Sequence, residues 1–527
     1  MVHIWYYITE IIYYCKEHIG YTRKSYGSGE VIMKKVVIIG GGIAGLSAGI
    51  YAKQAGFDAE IYEKHGIVGG QCTGWRRGEY FIDNCIHWLT GTKKGNGLYD
   101  IWENVGVLGD KVKLLQEDSF YSVELDGEKI TLWRDLEKTE NEMLALSPID
   151  EEEIKKFITY TKLAQSLEMP TNKPFDMMNP MDIIKLVMSM AGMGKVMKEY
   201  GKINMEEWEA RFSHPLLKRV IRDYLTKEFL AYTLLVSYAT FTSGNGDIPE
   251  GGSLDIAMNM KKRFIELGGK VFTGKDVVRV QIEKHGVASG IVLKSGEVVN
   301  SDYVICSCDT DYTFRHLIDE KYMDKKLKAV YDNRKDNPVS SGFQVAFAVE
   351  DTFNDVLDTL FFSCEPIQIA NQIANRMSVK NYRAYGDYIA PPGHTVIQCN
   401  FIQYEDDYKY WLELYKDKGK YNHTKVKIAE EVLHQLEVRF PMYKGKMHII
   451  DTWTPVTYNR YCNSYYGAYM SFIQTKGSKT TNFTGKIKGL KNVVLASQWL
   501  MAPGGLPVAV VMGKFAVDRI VKKEKRR

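Results

Sequence analysis

A chain of 527 residues can support more than one hydrophobic core, so two or three lobes are expected. Its balance of 45% apolar and 25% charged residues is that of a globular protein, and a net charge of +4 is too small for this length to point to nucleic acid. The eight cysteines are scattered, with no CxxC pair and no His/Cys group at zinc spacing, which implies no metal site and free thiols in a reducing, cytoplasmic setting.

No apolar stretch reaches the roughly 18 residues of a membrane-spanning helix. Residues 1–32 are unusual nonetheless: "MVHIWYYITEIIYYCKEH" is aromatic-rich but broken by His3, Glu10 and Lys16, which suits neither a signal peptide nor a span. The "SGEVI" before Met33 back-translates to a purine-rich run resembling a ribosome-binding site, so native translation is expected to begin at Met33. The rival reading is an interfacial aromatic helix that anchors the protein to a membrane.

From Lys34 to Trp75 the order is strand, turn, helix, strand. Val36 to Ile39 is a β-branched run suited to a strand buried on both faces. Gly40, Gly42 and Gly45 follow at G-x-G-x-x-G spacing: the first for the tight turn, the second for close approach of a pyrophosphate, the third for helix–strand packing. Phosphate would rest on the N–H groups of Ile43, Ala44 and their neighbours at the helix start. The helix is expected to run from Ile43 to Ala55 and stop at Gly56. The next strand spans Asp58 to Tyr62, and Glu63, with Lys64 beside it, stands where a carboxylate can accept hydrogen bonds from ribose hydroxyls. Gly69 and Gly70 let the chain pass close to a ligand, and Gln71 offers it a polar contact. His87 and Trp88 suit either a wall of the redox site or core packing, with core packing favoured.

Residues 115–135 alternate like strands, and 150–238 carry apolar positions three and four apart, as in helices. Met177, Met178, Met181, Met188, Met190, Met193 and Met197 crowd one part of this region, as a channel lining, a bilayer contact or a core helix pair. Residues 249–309 read as a helix ending at Gly268 followed by short β-rich runs. Cys306 and Cys308 share a face of an extended strand roughly 7 Å apart, too far to bridge, so two packed thiols are expected. Tyr458, Tyr461, Tyr465, Tyr466 and Tyr469 suit an aromatic wall or an amphipathic sheet face. The closing "VKKEKRR" is expected to be a solvated tail, or a contact for anionic lipid.

The opening unit, the 249–309 region and "GLKNVVLASQWLMAPGGLPVAVVMGKFAVDRI" (489–520) together resemble the flavin-dependent amine oxidase and phytoene desaturase superfamily. The resemblance implies FAD as cofactor. It also implies an α/β fold class: a glutathione-reductase-type, Rossmann-like FAD domain assembled from 33–110, 245–310 and 481–527. An α+β substrate domain from 111–244 and 311–480 would carry a helical cap over about 150–240. It places the Val277 backbone at the adenine, and Pro503, Gly504, Gly505, Leu506 and Pro507 at the flavin end. The "ASQWL" run departs from many relatives, so Ser497 and Gln498 are candidate rather than matched flavin contacts. The "PGGLPVAVVMGK" ending resembles the carotenoid desaturase, carotene isomerase and retinol saturase-like branch.

FAD carries the hydride chemistry, so no acid/base pair is required and no catalytic side chain is assigned. With no second G-x-G-x-x-G and no CxxC, electrons are expected to pass through oxygen, a quinone, a separate donor or the substrate itself. The leading expectation is hydride transfer between flavin N5 and a lipophilic unsaturated molecule such as a polyene, retinoid or lipid. The alternatives are a flavin amine oxidase and a non-enzymatic binding protein of the GDP-dissociation-inhibitor type, against which the intact phosphate turn and Glu63 argue.

Overall fold

In the computed structural model, which describes residues 33–479 and 482–525, the β-branched run forms a strand over Lys35–Ile39, buried from Val36 onward. It is the middle strand of a five-stranded parallel sheet ordered Lys270–Phe272, Asp58–Tyr62, Lys35–Ile39, Tyr303–Cys306, Val493–Leu495. In chain order that is 3-2-1-4-5. The winding direction reverses beside the first strand, and such a reversal opens a crevice outside the carboxyl ends of the strands. The expectations for a start at Met33 or an aromatic anchor fall on residues 1–32, outside the described residues.

Helix Ile43–Gln54 follows the first strand and ends before Gly56. It packs against two others by giving up side-chain volume. A Cβ on its Gly49 would lie 2.9 Å from the Phe264 ring of helix Gly252–Glu266. A Cβ on Gly513 of helix Leu506–Glu524 would lie 2.4 Å from the Ala44 carbonyl oxygen. Ser47 Oγ donates to the Val510 carbonyl at 2.6 Å across the same contact. A chain separation of more than 450 residues is thus closed by backbone-to-backbone approach.

A second, seven-stranded mixed sheet runs Met447–Trp453, Ser341–Val349, Thr395–Gln403, Gln372–Asn381, Thr359–Ile369, Ser119–Leu125, Glu128–Trp133. Every residue of Ser341–Val349 is buried. Helices Glu151–Ala164, Pro215–Arg222 and Tyr232–Thr242 form one apolar core with the 119–133 hairpin, as the helical periodicity predicts. The methionine-rich stretch forms helices Pro180–Ser189 and Ala191–Tyr200. Met193 is buried, but Met181, Met188, Met190 and Met197 are exposed, so the core-pair expectation fails for most of the group. Helix Pro180–Ser189 instead holds Ile183, Ile184, Val187 and Met188 open to solvent.

The seven described cysteines are free thiols, including Cys306 and Cys308. Among the described residues no helix is long and apolar enough to cross a membrane. The helix contact at Gly513 leaves no room for a side chain, so Gly513→Val is expected to cost about 3 kcal/mol, read as a lowered urea midpoint at unchanged slope. Gly194 is an exposed helical position with nothing within 4 Å of a built Cβ. Gly194→Ala should therefore raise stability by up to about 1 kcal/mol in the same experiment.

Candidate active site

The three glycines of the turn are required for three different reasons. Gly40 has φ +100°, and a Cβ there would lie 2.9 Å from Ser307 Oγ. A Cβ on Gly45 would lie 2.0 Å from the Gly40 carbonyl oxygen. Gly42 is different. Its φ of −71° suits any residue, and a built Cβ would meet only the Gly69 carbonyl oxygen, 3.9 Å away. Neither backbone nor packing calls for glycine there, so the constraint lies with whatever occupies the cavity that Gly42 lines. The first intrahelical bond runs from Leu46 N–H to the Gly42 carbonyl, which leaves the amides of Ile43, Ala44 and Gly45 ahead of the helical ladder.

Glu63 ends the second strand with its carboxylate bonded at both oxygens: Gly41 N–H donates to Oε2 at 2.7 Å and His65 N–H to Oε1 at 2.8 Å. Burial holds the Glu63 carboxyl above the ordinary carboxylate range, and these two amides pull it back. Lys64 Nζ donates to the Arg460 carbonyl at 2.9 Å and to Asn463 Oδ1 at 2.6 Å. Gly69 N–H donates to the Gly41 carbonyl at 2.8 Å, and Gly70 lies against Gly42, with a Cβ there only 3.5 Å from the Gly42 Cα. Gln71 Nε2 donates to the Ala468 carbonyl at 2.8 Å, while its buried Oε1 has no partner within the chain.

Gly40, Gly42, Ile43, Ala44, Glu63, Lys64, Gly69, Gly70 and Gln71 line one cavity of about 590 Å³, inside the ~300–1,000 Å³ range of small-molecule sites, and Gly45 does not. Val277, at the start of strand Val277–Glu283, lines it too. So do Ser497, Gln498, Pro503, Gly505, Leu506 and Pro507 from the C-terminal segment. Gln498 Oε1 accepts the Gly505 N–H at 2.7 Å and so fixes the start of the last helix. Gly504 does not line the cavity. A Cβ there would lie 3.0 Å from Gln498 Oε1 and from the Ser471 N atom, which makes Gly504, like Gly45, a packing glycine.

The cavity continues beyond the glycine turn into an aromatic chamber of Trp88, Tyr224, Phe229, Tyr382, Tyr458 and Tyr469. His87 and Trp88 both line the cavity, and Trp88 also packs on the apolar core, its ring centroid 5.1 Å from that of Phe120, as the preferred reading has it. His87 is exposed to the cavity it lines, and the protein around that cavity, with the Lys380 charge, lowers its ring to about 3. Lys380 lies behind the wall, 5.6 Å from the Tyr382 ring centroid, bonded to Asp358 and 3.7 Å from Glu117. Tyr458 is fixed by Gln344 Nε2 and Trp453 Nε1, which donate to its hydroxyl at 2.6 and 2.9 Å. Of the five tyrosines read as an aromatic wall or a sheet face, Tyr458, Tyr461 and Tyr469 line the cavity and Tyr465 and Tyr466 do not. None of the seven clustered methionines lines it either, which removes the channel reading.

Sequence reasoning missed Ser307, Asp309, Asn400 and the chamber residues of 224–237. Ser307 Oγ donates to the Ile39 and Gly40 carbonyls, each at 2.8 Å, and so tethers the turn to the fourth strand. Asp309 accepts the Tyr465 and Asp311 amides, each at 2.8 Å, and burial raises its carboxyl to about 7. Its signal was present: like Glu63, it closely follows a short apolar strand. Thr233 Oγ1 and Asn400 Oδ1, both on cavity residues, are buried without partners in the chain. Among the described residues no cluster of His, Cys, Asp and Glu could hold a metal ion.

Comparison with known proteins agrees with this geometry. Residues 43–521 match the family described as flavin containing amine oxidoreductase. The chain is 24% identical over 535 residues to 4,4'-diaponeurosporene oxygenase of Staphylococcus haemolyticus, covering 92% of this chain and 97% of that protein. It is 23% identical to the enzyme of the same description from Staphylococcus aureus, covering 93% and 99%. Among solved structures, an oxidoreductase from Methanosarcina mazei aligns with a TM-score of 0.56 at 17% identity, over 92% of this chain and all of that one. Putrescine oxidase bound to putrescine aligns with a TM-score of 0.56 at 14% identity, over 94% and 100%. At these identities the structural matches show a shared fold.

Two outcomes follow from the site. Gly42→Ala should leave the urea midpoint nearly unchanged while lowering flavin affinity about tenfold or more, equivalent to ~1.4 kcal/mol, measured by equilibrium dialysis. Asp309 is raised on folding, so the native state binds more protons than the unfolded chain between the ordinary aspartate value and about 7. Its contribution to stability is therefore complete below that window and lost as pH rises through it. Asp309→Asn should flatten this decline, by up to about 1.4 kcal/mol per pH unit, in unfolding curves collected from pH 4 to 8.

Proposed function

This chain belongs to the family of flavin-containing amine oxidoreductases and is an FAD-dependent oxidoreductase, and from that premise we propose that it transfers hydride to or from a lipophilic polyene. The observation that carries the reading is the continuity of one cavity from the glycine turn into an aromatic chamber. The carboxylates lining that cavity are Glu63, Asp276 and Asp309, all from strand ends or the loops that follow them. The chamber offers a cationic amine aromatic faces but no acid, which favours an apolar conjugated substrate. The two relatives described as 4,4'-diaponeurosporene oxygenase support the same substrate class.

In this reading Gly40, Gly42, Ile43 and Ala44 take the pyrophosphate, Glu63 the ribose, and the Val277 backbone the adenine. Gly69, Gly70, Gln71, Gln498, Pro503, Leu506 and Pro507 surround the flavin end, with Gly45 and Gly504 holding the backbone that presents them. The unpartnered Gln71 Oε1 suits an N–H of the bound cofactor. Bound FAD supplies the hydride chemistry, and the chamber excludes water from it. Neutral His87 and the desolvated tyrosines add no charge beside a conjugated chain.

The same reading includes delivery of substrate from a bilayer surface. Met188 is 73% exposed and Val187 65%, on a helix that also exposes Met181, Ile183 and Ile184. Lys185, Lys195 and Lys198 are exposed on the same two helices. Asp176, just before them, is bonded by Arg519 at 2.8 Å and Lys486 at 2.6 Å, which ties this segment to the basic C-terminal helix. Exposed apolar side chains among lysines suit the interface of an anionic membrane.

The direct test is anaerobic mixing of the FAD-loaded protein with polyenes dispersed in vesicles, followed by flavin and polyene absorption. Loss of the flavin band with a matching shift of the polyene spectrum is expected. Reduction by diamines but not by polyenes would overturn the substrate assignment. For the surface, Val187→Asp with Met188→Asp should reduce co-sedimentation with phosphatidylglycerol vesicles about tenfold or more. Flavin content should be unchanged.

A further inference from the structure

Strands Gly74–Arg77 and Tyr80–Asp83 form a hairpin in the register Arg77 opposite Tyr80, Arg76 opposite Phe81, Trp75 opposite Ile82 and Gly74 opposite Asp83. Beyond the strand ends Asn84 N–H donates to the Thr73 carbonyl at 3.1 Å, which carries the pairing one residue further. Extended by two residues, the same register would set Cys72, just before the first strand, opposite Cys85, just after the second. Pairs alternate between hydrogen-bonded and non-hydrogen-bonded in an antiparallel ladder. Thr73 and Asn84 occupy a bonded position, so the position beyond them is a non-bonded one, where the Cα atoms of a regular ladder stand about 4.5 Å apart. That lies at the near edge of the ~4.4–6.8 Å range that a disulfide spans.

Burial sorts the two thiols. Cys72 is 1% exposed, and its Sγ donates to the Ser253 carbonyl at 3.2 Å. Cys85 is half-buried, and both residues line the cofactor cavity. The adjacent Cys85 thiol, more than burial, pushes the Cys72 thiol well above its usual value. Nothing in the proposed hydride chemistry uses either one.

We propose that Cys72 and Cys85 are a redox-active pair that interconverts between two thiols and a cross-strand disulfide in the wall of the cofactor cavity. The inference does not depend on the polyene assignment. The oxidant is a low-molecular-weight disulfide. The more exposed Cys85, as thiolate, attacks one of its sulfurs, breaks the S–S bond and expels one thiolate. Cys72, losing its proton, then attacks the Cys85 sulfur of the mixed disulfide and expels the second. Two S–H bonds in the protein are replaced by one S–S bond, and the two protons end on the two small thiols released. The reverse exchange restores the pair. Because Cys72 follows Gly69, Gly70 and Gln71 and Cys85 precedes His87 and Trp88, the bond would clasp the flavin side of the cavity to its aromatic side.

The test uses the full-length, FAD-loaded protein equilibrated with glutathione at graded ratios of oxidised to reduced form, acid-quenched, alkylated and mapped by mass. The expected product is a Cys72–Cys85 cross-linked peptide lighter by two hydrogens, reversed by dithiothreitol, with Cys308 and Cys462 alkylated. Alkylation of both Cys72 and Cys85 at every ratio would overturn the proposal, as would a bond from Cys85 to Cys462. Independently, anaerobic dithionite titration of the oxidised protein should consume about twice the electrons per flavin taken up by Cys85→Ser. Equal uptake by the two proteins would also overturn it.

Discussion

The close approach of the Gly45 Cα to the Gly40 carbonyl is the contact on which the site depends. It lets helix Ile43–Gln54 begin directly over the end of the central strand, so its first amides face the crevice where the sheet reverses its winding. Ser307 closes the arrangement from the neighbouring strand by donating to the carbonyls of Ile39 and Gly40. A second backbone approach, Gly513 on Ala44, brings the last helix against the first. Its start at Gly505, Leu506 and Pro507 thereby reaches the same cavity. Small residues at a few positions convert three distant segments into one binding surface, because only backbone-to-backbone distances are short enough to leave no gap between them.

Charge is distributed unevenly around that cavity. The carboxylates sit at its nucleotide end, where backbone amides satisfy them: Glu63 by Gly41 and His65, Asp309 by Tyr465 and Asp311. At the aromatic end Lys380 is kept behind Tyr382 and bonded to Asp358. Its field and the protein around the cavity lower the His87 ring. Neutral aromatic walls next to a desolvated hydride-transfer position suit a substrate without charge, since an ion there would lose its hydration with no counter-charge to replace it.

Most of the cofactor-facing half was legible in the chain. The strand Lys35–Ile39, the helix after it, the strand Asp58–Tyr62 and the placement of Glu63 follow from local pattern, because each is set by sterics within a few residues. Gly45 serves the helix–strand packing expected of it, whereas Gly504 shows the limit of such reading: it belongs to a ligand-binding run, yet it serves packing. The chamber was much less legible. His87 and Trp88 suited core or cavity wall, and Thr233 and Ser237 lie on a helix whose periodicity reports only that one face is apolar. Whether an apolar face meets another helix or a cavity is not a property of its own spacing. The methionine-rich stretch shows the same ambiguity in the other direction, with an apolar helix left facing solvent.

The amino-acid order alone carried the dinucleotide turn, which rests on short-range rules of backbone freedom and strand–helix alternation, and its resemblance over three separated segments implied the FAD-dependent family and the α/β class. Which residues gather around one cavity depended on long-range contacts. Gln498 meets Gly505 within one loop, but Gln71 meets Ala468, Lys64 meets Asn463, and Ser47 meets Val510. The pairing of Cys72 with Cys85 lies between these cases. Both are in plain view in the sequence, but only the hairpin register makes them neighbours, because a shift of one residue would turn their side chains to opposite faces.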